Sequence, residues 1–349
     1  MQFLRLPRVV QKEIFDNFEL CELLFLGFCS RRFRYLTRSI QNYRFKEIQN
    51  IKYEFFEDDS IFIRTGYTYS TILFAMGPPL EDHVIIPMEV FDQSQWGSDY
   101  IYDIKMKTLV VEGVHEYLLA FFGPSILYEI ESTHPQLAPS LRNINASYIQ
   151  LPERNRGNDL VTAKQLEICF NRSPNQESIR IEGTVHGNFF TSSVMYRTKY
   201  LSICCAGNKI DSILFSFTGR SLCIREAFFD TSTIIRFLNE WKSHNGFQKL
   251  MFFSISTCQE NVLDIRKLME CIDIKRLNPS NGIFHFKRTY RDMSFCEWSQ
   301  ERFLSSHEYV IRDVDGEQAA IVYSPSHFRF AVFSSVENVN AFKSIKKMI

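Results

Sequence analysis

Residues 6–38 read LPRVVQKEIFDNFELCELLFLGFCSRRFRYLTR, and this stretch decides how the chain begins. Pro7 suits the first turn of a helix, where its missing N–H would be unpaired anyway. Val10, Ile14 and Phe18 recur every fourth residue, which puts them on one helical face. A second segment carries Leu20, Leu23, Leu24 and Phe28. A third opens at Ser30, a residue type that caps helix N-termini. It turns Phe33 and Leu36 inward and Arg31, Arg32, Arg34 and Arg38 outward. Three helices this short bury too little surface to close a core of their own. Their surplus apolar surface predicts docking, either on a partner or on the rest of the chain.

Leu6-Pro7, Ile14, Phe18, Leu23-Leu24 and the run Cys29-Ser30-Arg31-Arg32-Phe33 resemble, position by position, the F-box, a three-helix hook. The resemblance implies an F-box domain over residues 1–47 that binds a Skp-type adaptor and, through it, a cullin. It implies adaptor-binding roles for Leu6, Pro7, Val10, Ile14, Phe18, Leu23, Leu24, Ser30 and Phe33. Gly27 departs from the family pattern and costs about 1 kcal/mol of helix propensity. The plainer alternative is an amphipathic N-terminus packed on its own domain. The arginines between 31 and 44, interleaved with Phe33, Tyr35 and Tyr43, read as a solvated face and not as a nucleic-acid patch.

From residue 48 the apolar period changes to two. Ile51–Phe55 and Ile61–Arg64 flank an acidic turn at 57–59 as a hairpin, and β character continues from Thr71 to Ala75. Residues 81–100 carry no clear pattern. The proline-rich stretch ending in the polar run 153–159 marks a boundary, giving a β-rich linking region over 48–159 and a third region over 160–349.

In that third region short apolar segments read as strands at 166–170, 178–181, 200–204, 221–224 and 249–253. Ile179, Leu201, Leu222 and Leu250 follow one another at spacings similar to leucine-rich repeats. One intervening helix is capped by Asp230 or Ser232, lines Ile234, Leu238 and Trp241 on one face and stops at Gly246. A second runs from Asn261 to Ile272. Tyr200–Ile203, Leu222, Ile224, Phe237–Trp241 and Phe247–Leu250 also resemble the F-box-associated domain of type 2. That likeness implies recognition of a protein target by 160–349. Arg180, Arg225, Asn208, Lys209 and Asp211, beside the strands, are the candidate target-binding residues. At the C-terminus, segments 309–314, 317–322 and 328–333, with Asp315-Gly316 as a tight turn, read as an antiparallel meander. The expected fold class is α+β: a small three-helix F-box, an α/β body with irregular repeat-like strands, and that meander.

Composition narrows the function. Lys+Arg and Asp+Glu are both 40, so the basic excess of a phosphate-binding surface is missing and no nucleic-acid partner is expected. The nine cysteines are irregularly spaced, most within apolar runs, and read as buried hydrophobes of a reducing compartment. The apolar run from Leu23 to Phe28 is too short to span a bilayer. The expectation is a soluble protein, cytoplasmic and also compatible with the nucleus, with no membrane contact. No nucleophile elbow, phosphate loop, His-Glu-x-x-His or Cys-x-x-Cys pattern occurs. We therefore expect no enzymatic activity, no catalytic residues, no metal and no cofactor. The leading function is the substrate-recognition subunit of an SCF-type ubiquitin ligase. A repeat-type interaction scaffold is the alternative, and a cryptic hydrolase is a distant third.

Overall fold

The computed structural model describes residues 3–56, 61–65, 70–76, 99–101, 107–135, 138–151, 161–207, 210–257, 263–277, 284–287 and 303–333. Contacts divide the chain into two units, residues 1–150 with 168–175, and residues 151–167 with 176–349.

The first unit opens with a 3-10 turn, Phe3–Arg5, and four helices: α1 (Arg8–Asp16), α2 (Leu20–Cys29), α3 (Arg31–Ile40) and α4 (Asn42–Phe45). Local chemistry sets their limits. Pro7 precedes α1, and the Ser30 hydroxyl accepts from the Arg32 N–H at 3.2 Å to open α3. The Glu22 carboxylate accepts from the Glu19 N–H at 2.7 Å, half of a capping box for α2. Strands β1 (Asn50–Phe55), β2 (Ile61–Thr65), β3 (Ser70–Met76) and β4 (Asp99–Ile101) follow, then α5 (Lys107–Phe122), β5 (Leu127–Ser132) and β6 (Ala146–Gln150). The sheet runs β6-β5-β1-β2-β3-β4, parallel from β6 to β1, antiparallel from β1 to β3, and parallel again at β4.

One core serves helices and sheet together. Phe15, Leu23 and Leu24 share a cluster with Ile51, Tyr53, Leu118 and Tyr128. The surface that three short helices cannot bury among themselves is buried on β1 and α5. A polar node sits in this core. His115 Nε2 lies 2.8 Å from the Arg142 carbonyl and Nδ1 lies 2.9 Å from the Tyr53 hydroxyl. A carbonyl only accepts, so Nε2 carries the proton and Nδ1 accepts from Tyr53. Burial pushes the His115 pKa down and the Tyr53 pKa up.

Residues 161–171 begin with a difference from the sequence reading. Segment 166–170 is not a strand but lies in α6 (Ala163–Asn171). Thr162 and Gln165 form a reciprocal cap, with the Gln165 Oε1 accepting from the Thr162 N–H at 2.7 Å and the Thr162 Oγ1 from the Gln165 N–H at 3.3 Å. Leu166 and Phe170, four residues apart, are both buried.

The second unit continues with β7 (Ser178–Glu182), β8 (Tyr200–Gly207), α7 (Ile210–Ser216), β9 (Ser221–Ala227), α8 (Thr231–Lys242), β10 (Phe252–Ser256), α9 (Ile265–Cys271), β11 (Lys275–Arg276), β12 (Phe284–Lys287), β13 (Phe303–Ser306), β14 (Glu308–Ile311), β15 (Gln318–Ser324) and β16 (His327–Phe333). Its main sheet runs β11-β14-β15-β16-β10-β9-β8-β7, and β12 pairs separately with β13. β7 to β10 are parallel neighbours, and the pairs from β10 through β16, β15 and β14 to β11 are antiparallel.

Register aligns Ile179, Leu201, Leu222 and Phe253 in one row and Ile181, Ile203, Ile224 and Ile255 in the next. All eight are buried. Leu250 lies ahead of β10, three residues before the position that joins the row. α8 is capped by Asp230, whose carboxylate accepts from the Thr233 N–H at 2.8 Å. Its Phe237 ring meets Phe253 at 4.8 Å and Phe330 at 5.1 Å. Between β14 and β15 the connection is not the two-residue turn that Asp315-Gly316 suggests. Arg312 N–H donates to the Glu317 carbonyl, leaving a four-residue loop with Gly316 at φ +73°. Arg312 holds it shut through Asp315 and Glu317. No helix among the described residues is long and apolar enough to cross a membrane.

Candidate functional site

The N-terminal helices present two apolar faces. On α1 the inward positions are Gln11 and Phe15, both buried, with Gln11 Nε2 donating to the Phe3 carbonyl at 3.2 Å. The Phe3 ring in turn packs on Phe15 and Phe33 at 5.3 and 5.6 Å. The outward positions are Val9 and Val10, exposed at 80% and 41%, and Leu6, just ahead of the helix, is exposed at 38%. Pro7 is exposed beside them, while Ile14 and Phe18 are half-buried.

Of the nine residues named from sequence for adaptor binding, Leu6, Pro7 and Val10 therefore lie in the open, with Ile14 and Phe18 at the margin. Leu23, Leu24 and Phe33 are buried in the first unit's core, and Ser30 is half-buried as the α3 cap. Those four shape the bundle from within. Val9, the most exposed apolar residue of α1, is not part of the four-residue repeat and escaped the sequence reading.

The end of α1 is fastened by polar groups. Arg44 Nη1 donates to the Phe18 carbonyl at 2.9 Å, and Gln41 and Tyr43 both donate to the Asp16 carboxylate, at 2.6 and 2.7 Å. The hydrogen bond from Lys12, with those from Gln41 and Tyr43, holds the Asp16 pKa well below the usual carboxylate range.

Tyr117 of α5 joins the hook to the rest of the unit. Its hydroxyl donates to the Leu24 carbonyl at 3.0 Å. Its ring stacks on Phe28 with centroids 3.7 Å apart, and the Arg34 guanidinium lies 4.5 Å from the ring centre. Gly27 explains itself here: a Cβ at that position would lie 2.2 Å from the Tyr117 hydroxyl oxygen. The position that weakens α2 on propensity is the one that lets α5 approach. Burial raises the Tyr117 pKa to about 12, which keeps it a donor.

The hook's helices, caps and outward apolar face are those of a recognised module. Residues 3–45 match the F-box domain. The match begins at the 3-10 turn and ends on the last residue of α4, so the F-box and the helical bundle have the same limits. F-box domains bind Skp-type adaptors within SCF complexes, and proteins that carry them generally act as substrate adaptors. No curated protein and no solved structure matches the chain.

The candidate target-binding residues fall in the second unit. Arg180 is buried on β7, and Arg225 on β9 is half-buried; both donate to the Glu182 carboxylate. Two residues chosen separately from sequence thus converge on a third, Glu182, that the sequence reading did not name. Asp211 is exposed on α7 and accepts from the Thr233 hydroxyl at 2.9 Å. Asn208 and Lys209 lie outside the described residues. Among the described residues no group of three or more His, Cys, Asp or Glu could hold a metal ion.

Proposed function

We propose that the chain is the substrate-recognition subunit of an SCF-type ubiquitin ligase, with its F-box on the adaptor, the adaptor on a cullin, and residues 160–349 on a protein target. The observation that carries the reading is the exposed stripe of Leu6, Val9 and Val10 inside the segment that matches the F-box. Such side chains need a partner surface, and the module supplies its class. The receptor performs no bond chemistry itself, and ubiquitin transfer falls to its ligase partners. The resemblance of 200–250 to the F-box-associated domain of type 2 supports assigning target recognition to the body.

The shared core of hook and sheet also suits the scaffold alternative, in which the helices only cap their own unit. The outward stripe separates the two readings. Val10→Asp places a charge on an exposed position, so the full chain should melt as before. Anchors buried at an interface typically cost about 2 kcal/mol or more when lost. Co-purification of a Skp-type adaptor should therefore fall at least tenfold, by about 1.4 kcal/mol or more. Undiminished adaptor binding by Val10→Asp and Val9→Asp together would leave only the scaffold.

A further inference from the structure

A polar seam runs along the flank where α1 meets α3 and α4. Arg8, Lys12 and Asp16 stand one turn apart on α1, all exposed. Arg8 Nη2 donates to the Ser39 hydroxyl at 2.8 Å, a bond between the first residue of α1 and the last turn of α3. The Lys12 ammonium lies 5.4 Å from the centre of the Tyr43 ring, and the Asp16 carboxylate accepts from Gln41 and Tyr43. Lys12 also reaches Asp16, at 2.5 Å. One carboxylate thus serves the two cations of the seam, and at its other end Arg8 holds only a neutral hydroxyl.

The surroundings of Ser39 favour an anion there. From 30 to 46 the chain carries Arg31, Arg32, Arg34, Arg38, Arg44 and Lys46 and no acidic residue. Ser39 is exposed, and helix ends fray, so the last turn of α3 can open into the groove of an enzyme. With Arg34 and Arg38 ahead of the serine and no acid beside it, the segment suits a kinase whose groove is acidic. An anion in the last turn of a helix is opposed by the helix dipole. A cation must cover it, and Arg8 is already in place. The planar fork of a guanidinium matches the oxygens of a phosphate.

We propose that Ser39 is a phosphorylation site whose phosphate pairs with Arg8 and clamps the start of α1 to the end of α3. A protein kinase transfers the γ-phosphoryl group of ATP. The Ser39 Oγ forms the new P–O bond, the bond to the β-phosphate oxygen breaks, the hydroxyl proton passes to the base of the kinase, and ADP leaves. The product carries a charge of about −1.5 to −2 near pH 7, enough to balance Arg8 and to draw on Lys12. Arg8 lies between Pro7 and Val9, so the clamp fastens the residues that bear the outward stripe. The proposal stands on the seam and does not depend on what the stripe binds.

The pairing is tested on the full-length chain with phosphoserine encoded at position 39, compared with the unmodified chain by hydrogen exchange. Both forms are also made with Arg8→Gln. With Arg8 present, the phosphate should slow exchange over residues 8–16 and 31–40 by roughly threefold or more. With Arg8→Gln the phosphate meets the helix dipole without its partner, and exchange should be unchanged or faster. Equal slowing in both backgrounds, or none with Arg8 in place, would overturn the pairing. The site itself is tested on protein purified with phosphatase inhibitors from the cells that make it. Mass spectrometry should map a phosphate to Ser39, and phosphatase treatment should remove it. Phosphate on neighbouring hydroxyls but never on Ser39, or none at all, would overturn the assignment.

Discussion

Gly27 and Tyr117 offer a test in which one substitution changes sign with its neighbour. Gly27→Ala exchanges the poorest ordinary helix former for the best, a gain of about 1 kcal/mol in a helix interior. The new methyl would stand 2.2 Å from the Tyr117 hydroxyl oxygen and 3.5 Å from the ring carbon that bears it. Tyr117 has nowhere to go. It is 6% exposed, stacked on Phe28, beside Arg34 and hydrogen-bonded to the Leu24 carbonyl. Overpacking of this kind costs about 1–3 kcal/mol, and displacing the hydroxyl forfeits a further hydrogen bond of about 1 kcal/mol. Set against the propensity gain, Gly27→Ala should destabilise by about 1–3 kcal/mol.

Tyr117→Phe removes the oxygen and nothing else. Alone it should cost about 1 kcal/mol for the lost hydrogen bond. In that background the nearest atom to the new methyl is the ring carbon at 3.5 Å, an ordinary contact. Gly27→Ala should then be neutral or stabilising by up to about 1 kcal/mol. Urea unfolding of the four full-length proteins, with midpoints and slopes compared, gives the cycle. An alanine that costs the same in both backgrounds would show that the hydroxyl does not dictate the glycine. An alanine that stabilises the unaltered protein would show that α5 does not approach α2 as described.

Two further outcomes follow from a buried histidine and a helix cap. The buried His115 favours its neutral form, so the unfolded chain binds its proton more readily, and stability should fall as pH drops below the ordinary histidine value of about 6.5. Urea midpoints at pH 7.5, 6.5 and 5.5 should decline less steeply in His115→Gln, and an unchanged slope would remove His115 from the account. Asp230→Ala should cost the second unit about 1 kcal/mol by uncapping α8, while Asp230→Asn should cost almost nothing. Equal losses from both would assign the effect to charge and not to the cap.

These cases also show where the sequence was legible. Capped helices could be read directly: Ser30 before α3 and Asp230 before α8 hold the hydrogen bonds that their residue types suggest. α6 was misread because Leu166, Ile168 and Phe170 alternate like a strand while Leu166 and Phe170 also satisfy a helix. The Thr162–Gln165 cap, present in the sequence, was the feature that distinguished them. α5 went unnoticed, since its valines and aromatics carry no clear helical stripe, and with it went the reason for Gly27.

The two candidate surfaces were legible to different depths for one physical reason. An F-box is local in sequence, so the spacing of its apolar residues survives being read one residue at a time. Even so, spacing cannot tell a core face from a partner face when both are apolar. Val10 and Leu24 read alike, yet only Val10 is exposed. On the second surface the decisive quantity is strand register, which sequence does not contain. Arg180 and Arg225 lie 45 positions apart along the chain, but pairing brings both to Glu182 and sets Arg180 in one row with Arg329. Each strand brings at most two of these charges, and the cluster does not exist until the sheet assembles. The leucine and isoleucine rows on the opposite face keep the fold whichever residues the strands turn the other way.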